Sequence, residues 1–169
     1  MDPSTAVAIA GFVAGTDWFL MLIGRLTSSV ISGKVSARAQ LTTVSAVALI
    51  LIVLAIILGN SSMVSMPVFK GQGFGMVQVP IAALLLVLCG LCTSVMWGTI
   101  FDLACEGLGA STNQASGIFM AMVVGGGIVP LIQNAIADAI GYMPSYWLLA
   151  ACVGFILYFA AIGSKVKKA

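Results

Sequence analysis

Apolar residues run through this chain in long uninterrupted blocks, with polar residues confined to short breaks between them. Residues 39–69, 71–101, 107–137 and 139–164 contain no charged side chain. A helix needs about 20 mostly apolar residues to cross the hydrocarbon core of a bilayer. With turn-forming residues setting the ends, the pattern predicts five membrane-spanning helices at about 7–31, 41–58, 81–101, 117–136 and 146–162. A closed β-barrel would also satisfy every backbone group in lipid, but its strands alternate polar and apolar positions. The run 47–58 is built from Val, Ala, Leu and Ile with no alternation. The fold class is therefore all-α, an integral membrane protein with one transmembrane helical domain over 1–169. Residues 59–62 and 67–75 are expected to form the longest loop, between the second and third spans. Gly141 is placed to end the fourth span as a left-handed C-terminal residue.

Composition closes off other classes. The chain is 61% hydrophobic and 7% charged, with a mean hydropathy of +1.17, whereas soluble domains carry roughly 25% charged residues. Neither a soluble nor a disordered chain fits, and the lipid bilayer is the implied partner. A net charge of +2 gives no footprint for nucleic acid. Histidine is absent, which removes the commonest general base and the commonest metal ligand. Cys89, Cys92, Cys105 and Cys152 all lie in or beside apolar runs. The CxxC spelled by Cys89 and Cys92 reads as helix packing, since free cysteine behaves as a small buried hydrophobe. No metal site, cofactor or nucleophile–base pair is expected, so the chain is not read as an enzyme.

Positive residues near span ends favour the cytoplasm. Lys34 and Arg38 lie between the first two spans, Lys165, Lys167 and Lys168 lie in the tail, and only Lys70 falls on the opposite side. The N-terminus is thus expected outside and the C-terminus in the cytoplasm. The first span begins a few residues after Met1, as if the chain were an interior piece of a longer protein.

Some polar residues fall inside the spans. Asp17 lies near the middle of the first, as a proton or solute site or as a carboxyl satisfied by its neighbours. Asp17, Met21, Gly24 and Ser28 share one helical face, which would line a cavity. Arg25 and, on the third span, Asp102 and Glu106 sit towards the same membrane side. Pairing of Arg25 with Asp102 would serve as a gate latch or as a static brace. Ser94 and Trp97 belong to a stripe with Gly90 and Phe101, suited to the apolar face of a sugar ring or to the membrane interface. In the fourth span Gly125, Gly126 and Gly127 precede Pro130, a poor helix interior that lines a cavity, packs closely on a neighbour or kinks. Gln133 and Asn134 follow within a turn, as further substrate-cavity candidates. The GxxxG of Gly11 and Gly15 usually means close helix packing.

With these residues in view, the chain resembles the fucose/glucose/galactose permeases, the sugar–proton symporter family of the major facilitator superfamily. The carrying segments are Leu22-Ile-Gly-Arg25, Trp97-Gly-Thr-Ile-Phe101, the glycines Gly107 and Gly109, Ser116-Gly117, Gly125 to Pro130, and Ala137-Asp138. The resemblance implies that the five helices correspond to spans eight to twelve of a twelve-span transporter, with the N-terminal half missing. It implies a monosaccharide substrate, fucose, glucose or galactose in class, a proton as coupling ion, and a bacterial inner-membrane location. It also implies that the carboxylates of proton coupling lie in the missing half.

The leading expectation is a partial sugar transporter that does not transport alone. The alternative is a non-transporting membrane protein that braces or regulates a partner, for which Trp97 and Gln133 would be buried. The charge count makes its own prediction. A single cysteine at position 70 should react with an impermeant thiol reagent from outside the cell, and one at position 34 only from the cytoplasm. Labelling of position 70 from the cytoplasm alone would reverse the orientation.

Overall fold

The computed structural model describes residues 3–59, 61–70 and 73–164. Among these residues, five helical segments are long and apolar enough to cross a membrane. In chain order these are α1 (Pro3–Ile31), α2 (Ala37–Leu58) and α3 (Ile81–Cys105), then a broken fourth segment, and last α6 (Tyr142–Tyr158) with a π-helical end at Phe159–Gly163. The fourth comprises a 3-10 turn at Gly109–Ser111, α4 (Thr112–Ala121), another 3-10 turn at Met122–Val124, and α5 (Gly125–Ile140).

The helices run further than apolar blocks suggest, because helix ends are set by caps. Ser36 accepts a hydrogen bond from the Ala39 N–H at 3.3 Å, so α2 starts in the polar turn that holds Arg38 and Gln40. The third span continues through Asp102 to Cys105 and stops before Gly107, whose φ is +80°. At Gly141 the chain takes φ 98° and ψ 162°. That is outside the left-handed helical region, yet it is equally costly for a residue with a Cβ.

One element departs from the all-helical expectation. The connector expected as a loop is an antiparallel hairpin, β1 (Met63–Phe69) with β2 (Phe74–Pro80), in register from Met63 opposite Pro80 to Phe69 opposite Phe74. Pro67 is tolerated because a two-stranded sheet consists only of edges. Met66, Val68 and Val79 are buried against Val87 of α3 and against Ile9, Phe12 and Val13 of α1. The Phe69 N–H donates to the Thr16 hydroxyl at 2.9 Å, and Phe19, Phe69 and Phe74 form an aromatic cluster.

The helices assemble around α3. A core of Leu41, Ala48 and Ile52 from α2 meets Cys89, Cys92 and Met96 from α3 and Ala150 and Val153 from α6. α1 crosses α3 through two glycine notches. A Cβ on Gly24 would lie 2.7 Å from the Leu91 carbonyl oxygen and collide with the Ser94 hydroxyl. One on Gly90 would strike the Asp17 side chain. Lipid tails supply no hydrophobic drive between helices, so such backbone approaches carry much of the association. The GxxxG glycines behave differently. Nothing lies within 4 Å of an added Cβ at Gly11, and Gly15 meets only the Phe69 carbonyl at 3.9 Å.

Gly24→Ala should therefore destabilise the bundle by about 1–3 kcal/mol, the usual effect of overfilling a packed seam. Gly11→Ala and Gly126→Ala, where nothing lies within 4 Å, should not lower stability. Thermal unfolding of the purified protein in detergent distinguishes them. Equal midpoints for all three variants would show that α1 and α3 do not meet at Gly24.

Candidate functional site

The first candidate place is a groove of about 870 Å3 between α1 and α6, floored by α3 and bounded by the hairpin. Asp17 enters it from α1 because Gly90, directly across on α3, has no side chain to exclude the carboxylate. Cys89 and Thr93 continue the floor, and Tyr146, Leu149 and Cys152 form the opposite wall. Among the described residues, no hydrogen bond or ion pair reaches the Asp17 carboxylate. The rest of its predicted face is split. Gly24 is wedged against α3, and the Ser28 hydroxyl donates to Gln40 Oε1 at 3.2 Å. That face mainly packs on its neighbours, and only its Asp17 end opens into the groove.

The second place lies at the other end of the bundle. Arg25, Ser28, Ser94, Trp97 and Asp102 line a cavity of about 330 Å3. Arg25 and Asp102 share it, but among the described residues no ion pair within 4.0 Å joins them. Asp102 also borders an adjoining cavity of about 360 Å3, with Glu106 and Arg38. Arg38 is held by the end of the last helix, donating through Nε to the Ser164 hydroxyl at 3.1 Å and through Nη2 to the Ser164 carbonyl at 2.5 Å. The π-helical turn delivers Ser164 there, with the Ser164 N–H donating to the Phe159 carbonyl at 2.8 Å. Gln40 is buried beside this region and donates to the Val35 carbonyl at 2.9 Å.

Arg38, Gln40 and Ser164 thus join the charged end, and they were not candidates from sequence. The signal was Ser36: read as a helix cap, it puts Arg38 and Gln40 on the first turn of α2, facing the end of α3. Of the third-span stripe, Ser94 is buried towards α1, its hydroxyl donating to the Leu91 carbonyl at 2.8 Å. Trp97 and Phe101 turn the other way, to Phe119 of α4, with ring centroids 5.0 and 5.3 Å apart. Trp97 is 48% exposed, which does not match the buried indole that a pure brace calls for.

Gln133 and Asn134 fall in neither place. Both are on α5, which packs on α6, and neither lines the groove or the two charged cavities. The glycine run gives no close helix approach, since nothing lies within 4 Å of an added Cβ at Gly125, Gly126 or Gly127. What it carries is a break. The backbone tightens to a 3-10 turn at Met122–Val124 just before it, and Pro130 cannot donate to the Gly126 carbonyl four residues back. The substrate-cavity candidates therefore occupy three places and do not converge. Asp17 is in the groove, Ser94 and Trp97 are at the charged end, and Gln133 and Asn134 are on an outlying helix.

No family model matches the chain, and no solved structure does. Curated relatives do. A glucose/galactose transporter of Brucella abortus is 50% identical over 76 residues, 45% of this chain and 18% of the relative. A putative glucose/galactose transporter of Helicobacter pylori is 32% identical over 89% of this chain and 34% of its own length. The L-fucose-proton symporter of Escherichia coli is 30% identical over 95% of this chain and 32% of its own length. The chain thus spans about a third of the length of the latter two. These relatives are transporters and symporters and not enzymes. With five apolar spans and these relatives, the chain is a multi-pass membrane protein of the sugar permease family.

Proposed function

We propose that this chain forms one part of a proton-coupled monosaccharide permease of the major facilitator superfamily, equivalent to spans eight to twelve. The observation that carries the reading is the alignment of 95% of the chain with only 32% of an L-fucose-proton symporter. A permease moves its solute by rocking one group of helices against another around a midplane site. Five helices supply one wall of such a site. The scatter of polar candidates agrees with that. Trp97 is half exposed beside Phe119, Asn134 is exposed on α5 and Gln133 is half-buried, so each keeps a surface for a counterpart on another group of helices. In this reading Trp97 stacks on the apolar face of the sugar, while Gln133 and Asn134 meet its hydroxyls. Arg25, Arg38, Asp102 and Glu106 act at the cytoplasmic gate.

The missing N-terminal half is the chief partner, with the monosaccharide and the proton as cargo. The membrane is the bacterial inner membrane, with the N-terminus outside and the tail inside. The coupling carboxylates belong to the other half, so Asp17 has a different task.

Two outcomes follow. In liposomes with an inward proton gradient, this chain alone should give no saturable uptake of labelled fucose, glucose or galactose. Joined to the remaining spans it should accumulate one of them, with the accumulation abolished by an uncoupler and reduced by Trp97→Ala. Uncoupler-sensitive uptake by the chain alone would overturn the partial-wall reading. A joined protein that moves none of the three sugars would overturn the substrate class.

A further inference from the structure

The groove that holds Asp17 has walls but no filling. α1 leans on α3 and the hairpin, while α6 leans on α2 and α5, and neither is a main packing partner of the other. The gap of about 870 Å3 between them runs along both helices, from Ala6 to Asp17 on one side and from Tyr146 to Val153 on the other. A helix with side chains is about 10–12 Å across, and a gap between two spanning helices over a third is the shape that such a cylinder fills. Apart from Asp17, Gln78, Thr93 and Tyr146, the lining is apolar or small.

Acyl chains would cover the apolar walls but offer nothing to the carboxylate. An unpaired polar group inside a membrane is strongly unfavourable, and such groups face a bundle interior where they find partners. Among the described residues the Asp17 carboxylate has no partner. Thr93 does not supply one, because its hydroxyl donates to the Gly90 carbonyl at 3.2 Å. Two thirds of the length of the relatives lies outside the matched region, so further spans of the same permease are at hand as occupants.

We propose that the groove between α1 and α6 seats a further membrane-spanning helix of the same permease, and that this helix places a hydrogen-bond donor or a cation opposite Asp17. The inference rests on the permease reading above. It makes Asp17 an assembly contact, seated over Gly90, and separates it from solute and proton transfer.

The test reads helix binding and does not read transport, so its failure and that of the transport reading are distinguishable. The probe is a synthetic Leu–Ala helix of about 21 residues with a single central Gln, compared with the same helix lacking it. Each carries a fluorophore for energy transfer to the chain in lipid vesicles. The Gln helix should bind about tenfold more tightly than the plain one, the scale of an interhelical hydrogen bond. Asp17→Leu should erase that difference. Cys152, an exposed thiol on the groove wall, should react with a membrane-permeant maleimide in the free chain and be protected by the bound Gln helix. Cys152→Trp narrows the groove while leaving the carboxylate in place. It should weaken binding even if Asp17→Leu fails to fold.

Equal binding of the two helices would overturn the proposal, as would binding with Cys152 left reactive. Protection of Cys152 in the chain alone, lost on dilution in lipid, would make a second copy of this chain the occupant and would equally overturn it.

Discussion

The third helix has to accept neighbours on several sides at once, and its small side chains make that possible. α3 packs against α1, α2, α4 and both strands of the hairpin. Where it crosses α1 it presents Gly90 and Ser94, and where it meets α2 it presents Cys89 and Cys92. In water, hydrophobic burial would hold such a bundle whatever its detailed fit. In lipid the tails are as apolar as leucine, so fit itself must supply the attraction. A bulky residue at any of these positions would push a neighbour away with nothing to draw it back. Buried hydroxyls follow the same logic. Ser94, Thr99 and Ser45 turn back onto carbonyls of their own helices, so α3 and α2 cross the core without an unsatisfied donor.

The two ends of the bundle are closed by different means. On the Lys70 side, strands and aromatic rings cover α1 from Ile9 to Phe19, with the Lys70 ammonium 5.7 Å from the Phe12 ring. At the Arg38 end, charged and polar groups gather with no ion pair among the described residues, and Arg38 ties the start of α2 to the end of the last helix. α2, α3 and α6 therefore form a block fastened at the middle and at one end. The broken segment from Gly109 to Ile140 is attached more lightly, through Phe119 at one end and α6 at the other. The chain thus combines a fastened block with a broken, lightly attached segment.

How much of this was legible beforehand depended on which property wrote it into the sequence. The spans were legible because lipid demands length and apolarity from each helix separately. The family was legible from short ordered segments such as Trp97-Gly-Thr-Ile-Phe101. The hairpin was missed because Pro67 and Gly75 outweighed the alternation of Val64, Met66 and Val68, which is the period of a half-buried strand. Helical periodicity correctly put Asp17, Gly24 and Ser28 on one face but could not name the neighbour, and most of that face met α3. The glycine run at Gly125 was open to a cavity wall, close packing or a kink, and what the structure shows is a break in the backbone with no close neighbour. A face is a local property. What the face meets is decided by helices far away in the chain.

The bond from the Phe69 N–H to Thr16 has a consequence for how the protein is made. Spans enter the membrane in order as they are synthesised, so α1 arrives before the hairpin and before α3. Until they follow, Thr16 lacks its later donor and Gly24 has no seam to fill. α1 is tied to the hairpin only when residues some fifty positions later reach back to it. Biogenesis of this bundle is thus completed in retrospect.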